Sequence, residues 1–174
     1  RIGTAVLKRL KGFGTKKILV NDIETNRELD SEYKLEWTSK EKIYKEADII
    51  SLHIPLTYLT KNMIRKEDLL TMKSDAIIIN TSRGGIINEH DLYEVMLSGH
   101  LSGAAIDVFE KEPYDGPLKE IERCLLTAHM GSMSVDCRTR MEIESTEETI
   151  RFLTGKKLES EIPQKEYDVQ SQGL

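Results

Sequence analysis

The chain is poor in cysteine, proline and tryptophan, with two, four and one of these among 174 residues. Cys124 and Cys137 have neither the spacing of a metal site nor the number a disulfide framework needs, so no metal and a reducing, cytoplasmic setting are expected. Positive charge is not in excess either: 25 Lys and Arg stand against 30 Asp and Glu, for a net charge of -5. Without surplus cations to neutralise a phosphate backbone, generic nucleic-acid binding is excluded. No apolar run approaches the roughly 20 residues that span a bilayer, and the opening residues lack the pattern of a secretory signal, so no membrane association is expected. Internal repeats and low-complexity linkers are missing as well. What is present, 39% hydrophobic side chains and 11 glycines, suffices for one sizeable core.

The apolar residues fall in short continuous runs that alternate with helical patterns. Gly3 leads into a helical stretch at 4–11, with Val6, Leu7 and Leu10 on one side and Gly12 and Gly14 as stops. Residues 17–22 read as a buried strand ending in an acid. Thr38-Ser39-Lys40-Glu41 has the form of a capping box with Thr38 as the cap, opening a helix to about residue 47. Strands are predicted at 48–53, 76–80, 101–107 and 125–127. Helices are predicted at 66–72, from Asn88 to the stop at Gly99, and at 134–153, the last with Val135, Ile143, Ile150 and Leu153 on one face. Residues 1–154 thus form one domain, and 155–174 read as a polar tail or connection. Such alternation is the pattern of parallel strands covered on both faces by crossover helices: an α/β, doubly wound parallel sheet of Rossmann type. Ligands of such sheets bind at the carboxyl ends of the strands.

Those ends carry the chemistry. Asp22 lies about twenty residues past Gly3, where an acid accepts hydrogen bonds from an adenosine ribose and repels a 2′-phosphate, favouring NAD. Only Gly3 is present of the three-glycine turn such a site uses, which places the first strand and part of that turn ahead of residue 1. Arg83, between Ser82 and Gly84-Gly85 at the end of a strand, can present its planar fork to a carboxylate. His129, after the last strand, is a candidate acid/base, and Glu112 or Asp107 could orient its ring. His53 reads as a residue that shapes its loop, His90 and His100 as exposed, and Glu142, Glu144, Glu147 and Glu148 as a solvated helix face.

Taken together, Arg1-Ile2-Gly3, Leu52-His53-Ile54-Pro55-Leu56-Thr57, Asn80-Thr81-Ser82-Arg83-Gly84-Gly85, Ala105-Ile106-Asp107-Val108-Phe109 through Glu112-Pro113, and Thr127-Ala128-His129-Met130-Gly131 resemble the D-isomer-specific 2-hydroxyacid dehydrogenases. The resemblance covers residues 1–154 and implies the NAD-binding domain of that family, without its substrate domain. It implies that Arg83 binds the substrate carboxylate, Glu112 partners the histidine, and His129 transfers the proton. It further implies that Arg1, Ile2 and Gly3 meet the NAD pyrophosphate and Asp22 the ribose. Ile54, Pro55, Thr81, Ser82, Asp107, Gly131 and Ser132 would line the cofactor, together with Arg83 and His129. Ala128 and Ser132 depart from the proline and glycine frequent there; neither is a reacting group. The implied activity is hydride transfer between NAD(H) and a 2-hydroxy or 2-oxo acid, in a homodimer. The rival expectation is an NAD-sensing corepressor module that keeps the same residues. Formate dehydrogenase is disfavoured, because that branch pairs its histidine with glutamine rather than an acid like Glu112.

Overall fold

The computed structural model describes residues 2–161 and Asp168, apart from the side chain of Ser31. Arg1 and most of the expected tail (162–167 and 169–174) lie outside the described residues. Helix α1 spans Ile2–Leu10 and is continued by one 3-10 turn, Lys11–Phe13, which Gly14 closes at φ 65°. Then come β1 (Ile18–Val20), α2 (Glu28–Tyr33), β2 (Leu35–Trp37), α3 (Lys40–Glu46) and β3 (Ile49–Leu52). Helix α4 (Lys66–Thr71), β4 (Ile77–Asn80), α5 (Glu89–Leu97), β5 (Gly103–Ile106), β6 (Cys124–Leu126) and α6 (Val135–Leu153) complete the order.

Every strand pairing is parallel, as short apolar runs between helices require. The strands form two sheets, β1-β2 and β3-β4-β5-β6, in keeping with a doubly wound sheet that lacks its first strand. No strand among the described residues joins β1 to β3, so each keeps one unpaired edge. In a doubly wound sheet that is the place of the first strand, between the second and the fourth.

The core lies around the larger sheet. Ile50, Ile78, Ala104 and Ile106 lie in one core cluster with Leu69 of α4, Met72 just past its end, and Leu92, Val95 and Met96 of α5, all buried. Alternate strand residues point into this cluster, giving the buried–exposed alternation of β3. Helix α6 does not join the core: no residue of it is buried, and its predicted apolar face (Val135, Ile143, Ile150, Leu153) is exposed.

Three local expectations change. Ser39, not Thr38, caps α3, its Oγ accepting the Lys42 N–H at 3.3 Å. Thr38 is still extended, donating its N–H to the Val20 carbonyl at 2.9 Å, and so continues the β1-β2 ladder. His100 is half-buried, its Nε2 3.1 Å from the Met72 carbonyl oxygen, rather than exposed. Glu148 is not simply solvated: it pairs with Arg151 and accepts the N–H groups of Glu159 and Ser160, folding residues 156–160 back onto α6.

Candidate active site

The parallel register aligns the carboxyl ends of β4, β5 and β6, and backbone hydrogen bonds run on past them. Asp107 N–H donates to the Asn80 carbonyl at 3.0 Å, and His129 N–H to the Asp107 carbonyl at 2.8 Å. Three strand ends are thereby fixed side by side, and with them the loops bearing Arg83, Glu112 and His129.

The arginine turn is built by Asn80, which is only 2% exposed. Its Oδ1 accepts the Ser82 N–H at 3.1 Å and the Ser82 hydroxyl at 2.8 Å, while its Nδ2 donates to the Arg83 carbonyl at 2.9 Å. A buried amide satisfied this way holds a tight turn rigidly. Gly84 lies so close to the next loop that a Cβ would sit 2.0 Å from the Phe109 carbonyl carbon. The arginine loop and the 108–112 loop are therefore in backbone contact. The exposed Arg83 guanidinium donates through Nη1 to the Ser82 carbonyl at 2.6 Å and makes no other hydrogen bond among the described residues, and Arg83 lines the cavity.

Glu112 turns back into its own loop. One carboxylate oxygen accepts the Phe109 N–H at 3.1 Å and the other lies 2.9 Å from His129 Nδ1. The His129 ring first, and the Phe109 N–H second, hold the Glu112 carboxyl below its ordinary range. An acceptor on Nδ1 makes that nitrogen the donor and leaves Nε2 as the proton-exchanging atom. His129 itself takes φ 52°, an uncommon conformation for this residue type.

Asp107 is not the partner of the histidine ring, one of the two roles expected of it: its Oδ1 accepts the Thr127 hydroxyl and the Met130 N–H (2.8 Å), clasping the loop on both sides of His129. This buried carboxylate thereby positions the histidine's backbone.

Arg83, Glu112 and His129 share one cavity of about 420 Å³ with Leu56, Lys61 and Glu110 among its walls. Among the described residues, the other sequence-predicted ones do not line this cavity. Ile54 and Pro55 follow β3 in a loop pinned by Thr60, whose hydroxyl donates to the Pro55 carbonyl at 2.7 Å and accepts the Thr57 N–H at 2.7 Å. Thr81 is exposed beside Ser82, and Gly131 and Ser132 follow His129 in the loop to α6. Ile2 and Gly3 form the first turn of α1, where a Gly3 Cβ would stand 3.7 Å from His53. His53 is half-buried with its pKa lowered mainly by that burial, its Nε2 3.0 Å from Ser51 Oγ. Asp22, exposed past the end of β1, accepts the N–H of Ile23 at 2.7 Å. It does not line the central cavity.

Sequence reasoning missed Asn80 and Lys61. The former carried a signal, a polar residue ending an apolar strand run; the latter, inside a polar connection, carried none. Among the described residues no group of His, Cys, Asp and Glu could hold a metal ion, and no helix is long and apolar enough to cross a membrane.

A dinucleotide fits this frame on structural grounds. The first turn of α1 has no acidic side chain to oppose a phosphate and abuts the loop after β3, while Asp22 stands at the end of β1 at ribose distance in sequence. The parallel α/β frame and the arginine–glutamate–histidine cavity define a dehydrogenase-type nucleotide-binding domain. Residues 1–131 match the family model described as D-isomer specific 2-hydroxyacid dehydrogenase, NAD binding domain, and the chain belongs to that family. It is 41% identical over 157 residues to a glyoxylate reductase of Korarchaeum cryptofilum, covering 89% of this chain and 47% of that protein. A hydroxypyruvate reductase of Thermotoga maritima is 39% identical over 159 residues, covering 87% and 50%. The crystal structure of D-lactate dehydrogenase with NAD+ from Lactobacillus jensenii superimposes with a TM-score of 0.82 at 30% identity, covering 93% and 52%. The chain spans about half the length of the curated relatives it matches.

Proposed function

We propose that the protein is an NAD-dependent oxidoreductase acting on a small 2-hydroxy or 2-oxo acid, with Arg83, His129 and Glu112 as its working groups. The observation that carries this reading is the 2.9 Å contact between His129 Nδ1 and Glu112, in one cavity with Arg83. NAD(H) bound at the strand ends supplies the hydride acceptor or donor. The chain's own residues do the rest. Arg83 grips the substrate carboxylate with two parallel N–H donors and sets the orientation of C2. His129 Nε2 takes the C2 hydroxyl proton during oxidation and returns it to the oxygen during reduction. Glu112 accepts from Nδ1, fixes the tautomer, and balances the imidazolium while the proton is held.

Ile2 and Gly3, with Arg1, are assigned to the pyrophosphate and Asp22 to the ribose. Ile54, Pro55, Thr81, Ser82, Asp107, Gly131 and Ser132, together with Arg83 and His129, are assigned to the remaining cofactor surface. The relatives named above are two reductases and a dehydrogenase, and the corepressor reading gains no observation from them. A cytoplasmic homodimer completes the proposal: the two cysteines are free, and α6 presents an exposed apolar face suited to burial against another surface.

The test is NADH oxidation followed by absorbance with glyoxylate, hydroxypyruvate and pyruvate. Turnover of at least one, with KM raised by Arg83→Gln and kcat lowered by His129→Gln, supports the assignment. Equal kinetics in wild type and both variants overturn it.

A further inference from the structure

Beyond the three working groups, the cavity is lined by two more ionic side chains, Lys61 and Glu110. The backbone fixes where Lys61 stands. Its N–H donates to the Thr57 carbonyl at 2.8 Å, and the next N–H, of Asn62, donates to the Gly85 carbonyl at 2.7 Å. Asn62 turns the chain there at φ 49°, a left-handed conformation that asparagine tolerates. Two residues on, the parallel bridge between Ile64 and Ile87 ties the same connection to the residues that lead into α5. Lys61 is thus anchored to the turn that carries Arg83, at the wall of the cavity that Arg83 and His129 share.

Its ammonium is available. Among the described residues this exposed side chain makes no ion pair and no side-chain hydrogen bond; what sets it apart from the other lysines is its place on the cavity wall. Of the two carboxylates on this wall, Glu112 is engaged by His129 and the Phe109 N–H. Glu110 is exposed, its Cγ 3.6 Å from where a Gly85 Cβ would lie, and it is not within ion-pair distance of Lys61.

We propose that Lys61 is a specificity-determining residue: with Arg83 holding the C1 carboxylate, the Lys61 ammonium takes an anionic group carried on C3 of the substrate. The inference rests on the function proposed above and narrows its substrate class to 2-oxo acids with a carboxylate or phosphate at C3. A lysine is suited to this. Its flexible stem carries a point charge that meets a planar carboxylate or a tetrahedral phosphate equally well, whereas the fixed fork of Arg83 suits the invariant C1 end.

The test is calorimetric binding to the full chain loaded with NAD+, an oxidised cofactor that cannot reduce a 2-oxo acid. Pyruvate, oxaloacetate and 3-phosphohydroxypyruvate are titrated into wild type, Lys61→Met and Lys61→Arg. The expected result is that the two C3 anions bind about tenfold more tightly than pyruvate, the size of one charge-assisted hydrogen bond. Lys61→Met removes that preference and Lys61→Arg retains it. A preference for one C3 anion alone, lost in Lys61→Met, supports the proposal and identifies which group is read. Equal affinities in wild type, or a preference that survives Lys61→Met, overturn it. If pyruvate still binds and Arg83→Gln abolishes that binding, the functional reading stands while the Lys61 assignment falls; if none of the three acids binds, both fall.

Discussion

Asp107 and His129 are joined through both backbone and side chain: the His129 N–H donates to the Asp107 carbonyl at 2.8 Å, and Asp107 Oδ1 accepts the N–H of Met130, the next residue. The reacting imidazole is thus carried by a loop whose two sides are tied to one buried carboxylate. Asp107→Ala leaves the Thr127 hydroxyl and the Met130 N–H without this acceptor. The expected cost is about 1–3 kcal/mol in a urea unfolding series, accompanied by a fall in kcat that exceeds any change in KM. Unchanged stability and turnover would remove Asp107 from the positioning of His129.

Gly84→Ala tests the contact between the arginine loop and the loop of Glu112. The added methyl would lie 2.0 Å from backbone carbon and 2.1 Å from backbone oxygen of Phe109, atoms that cannot rotate aside. Overpacking of this kind costs typically about 1–3 kcal/mol, and here it moves both loops. Thermal denaturation should show the loss, and Gly12→Ala, with nothing within 4 Å, should not.

The Glu112–His129 contact predicts a pH dependence of definite sign. The His129 ring and the Phe109 N–H lower the Glu112 pKa on folding. A carboxyl depressed in this way contributes its stability in full above the ordinary glutamate value, and loses it as pH falls through the folded value. The stability difference between wild type and Glu112→Gln should therefore narrow on acidification from neutral pH. A difference that stays constant down to acid unfolding would contradict the assignment. The group is substantially exposed, so the effect is small.

Most of the architecture was legible because buried parallel strands must be short and apolar, and their runs cannot be mistaken for exposed elements. Asn88 and Ser134 were likewise legible as helix starts, since each side chain accepts the N–H three residues on. The segment α2-β2 was not: α2 ends at Lys34 with φ 53°, a left-handed cap made without glycine, so no stop signal marks it. Arg83, His129 and Glu112 could be found as reactive residue types at strand ends. The choice of Glu112 over Asp107 followed from the family resemblance and not from residue type, because it depends on how the 108–112 loop folds back. Lys61 was invisible for a similar reason: long-range backbone contacts such as the Asn62–Gly85 hydrogen bond bring it to the cavity.

Tyr44 supplies a probe of the core independent of the active site. Burial, aided by Asp68 and Glu41, pushes its phenol up to about 12. A phenol raised on folding contributes stability that is fully present below its unfolded value, near 10, and is lost as pH rises through the folded value. Stability should fall between about pH 10 and 12, and Tyr44→Phe should flatten that fall. Phenolate absorbance should show the Tyr44 signal appearing late in the wild-type titration only.

The role of His129 is tested most directly by the steady-state kinetics of NADH-dependent 2-oxo acid reduction for wild type and His129→Gln. The substitution is expected to lower kcat by roughly 10²–10⁴-fold, with NADH affinity retained. Near wild-type kcat in His129→Gln would contradict the assignment.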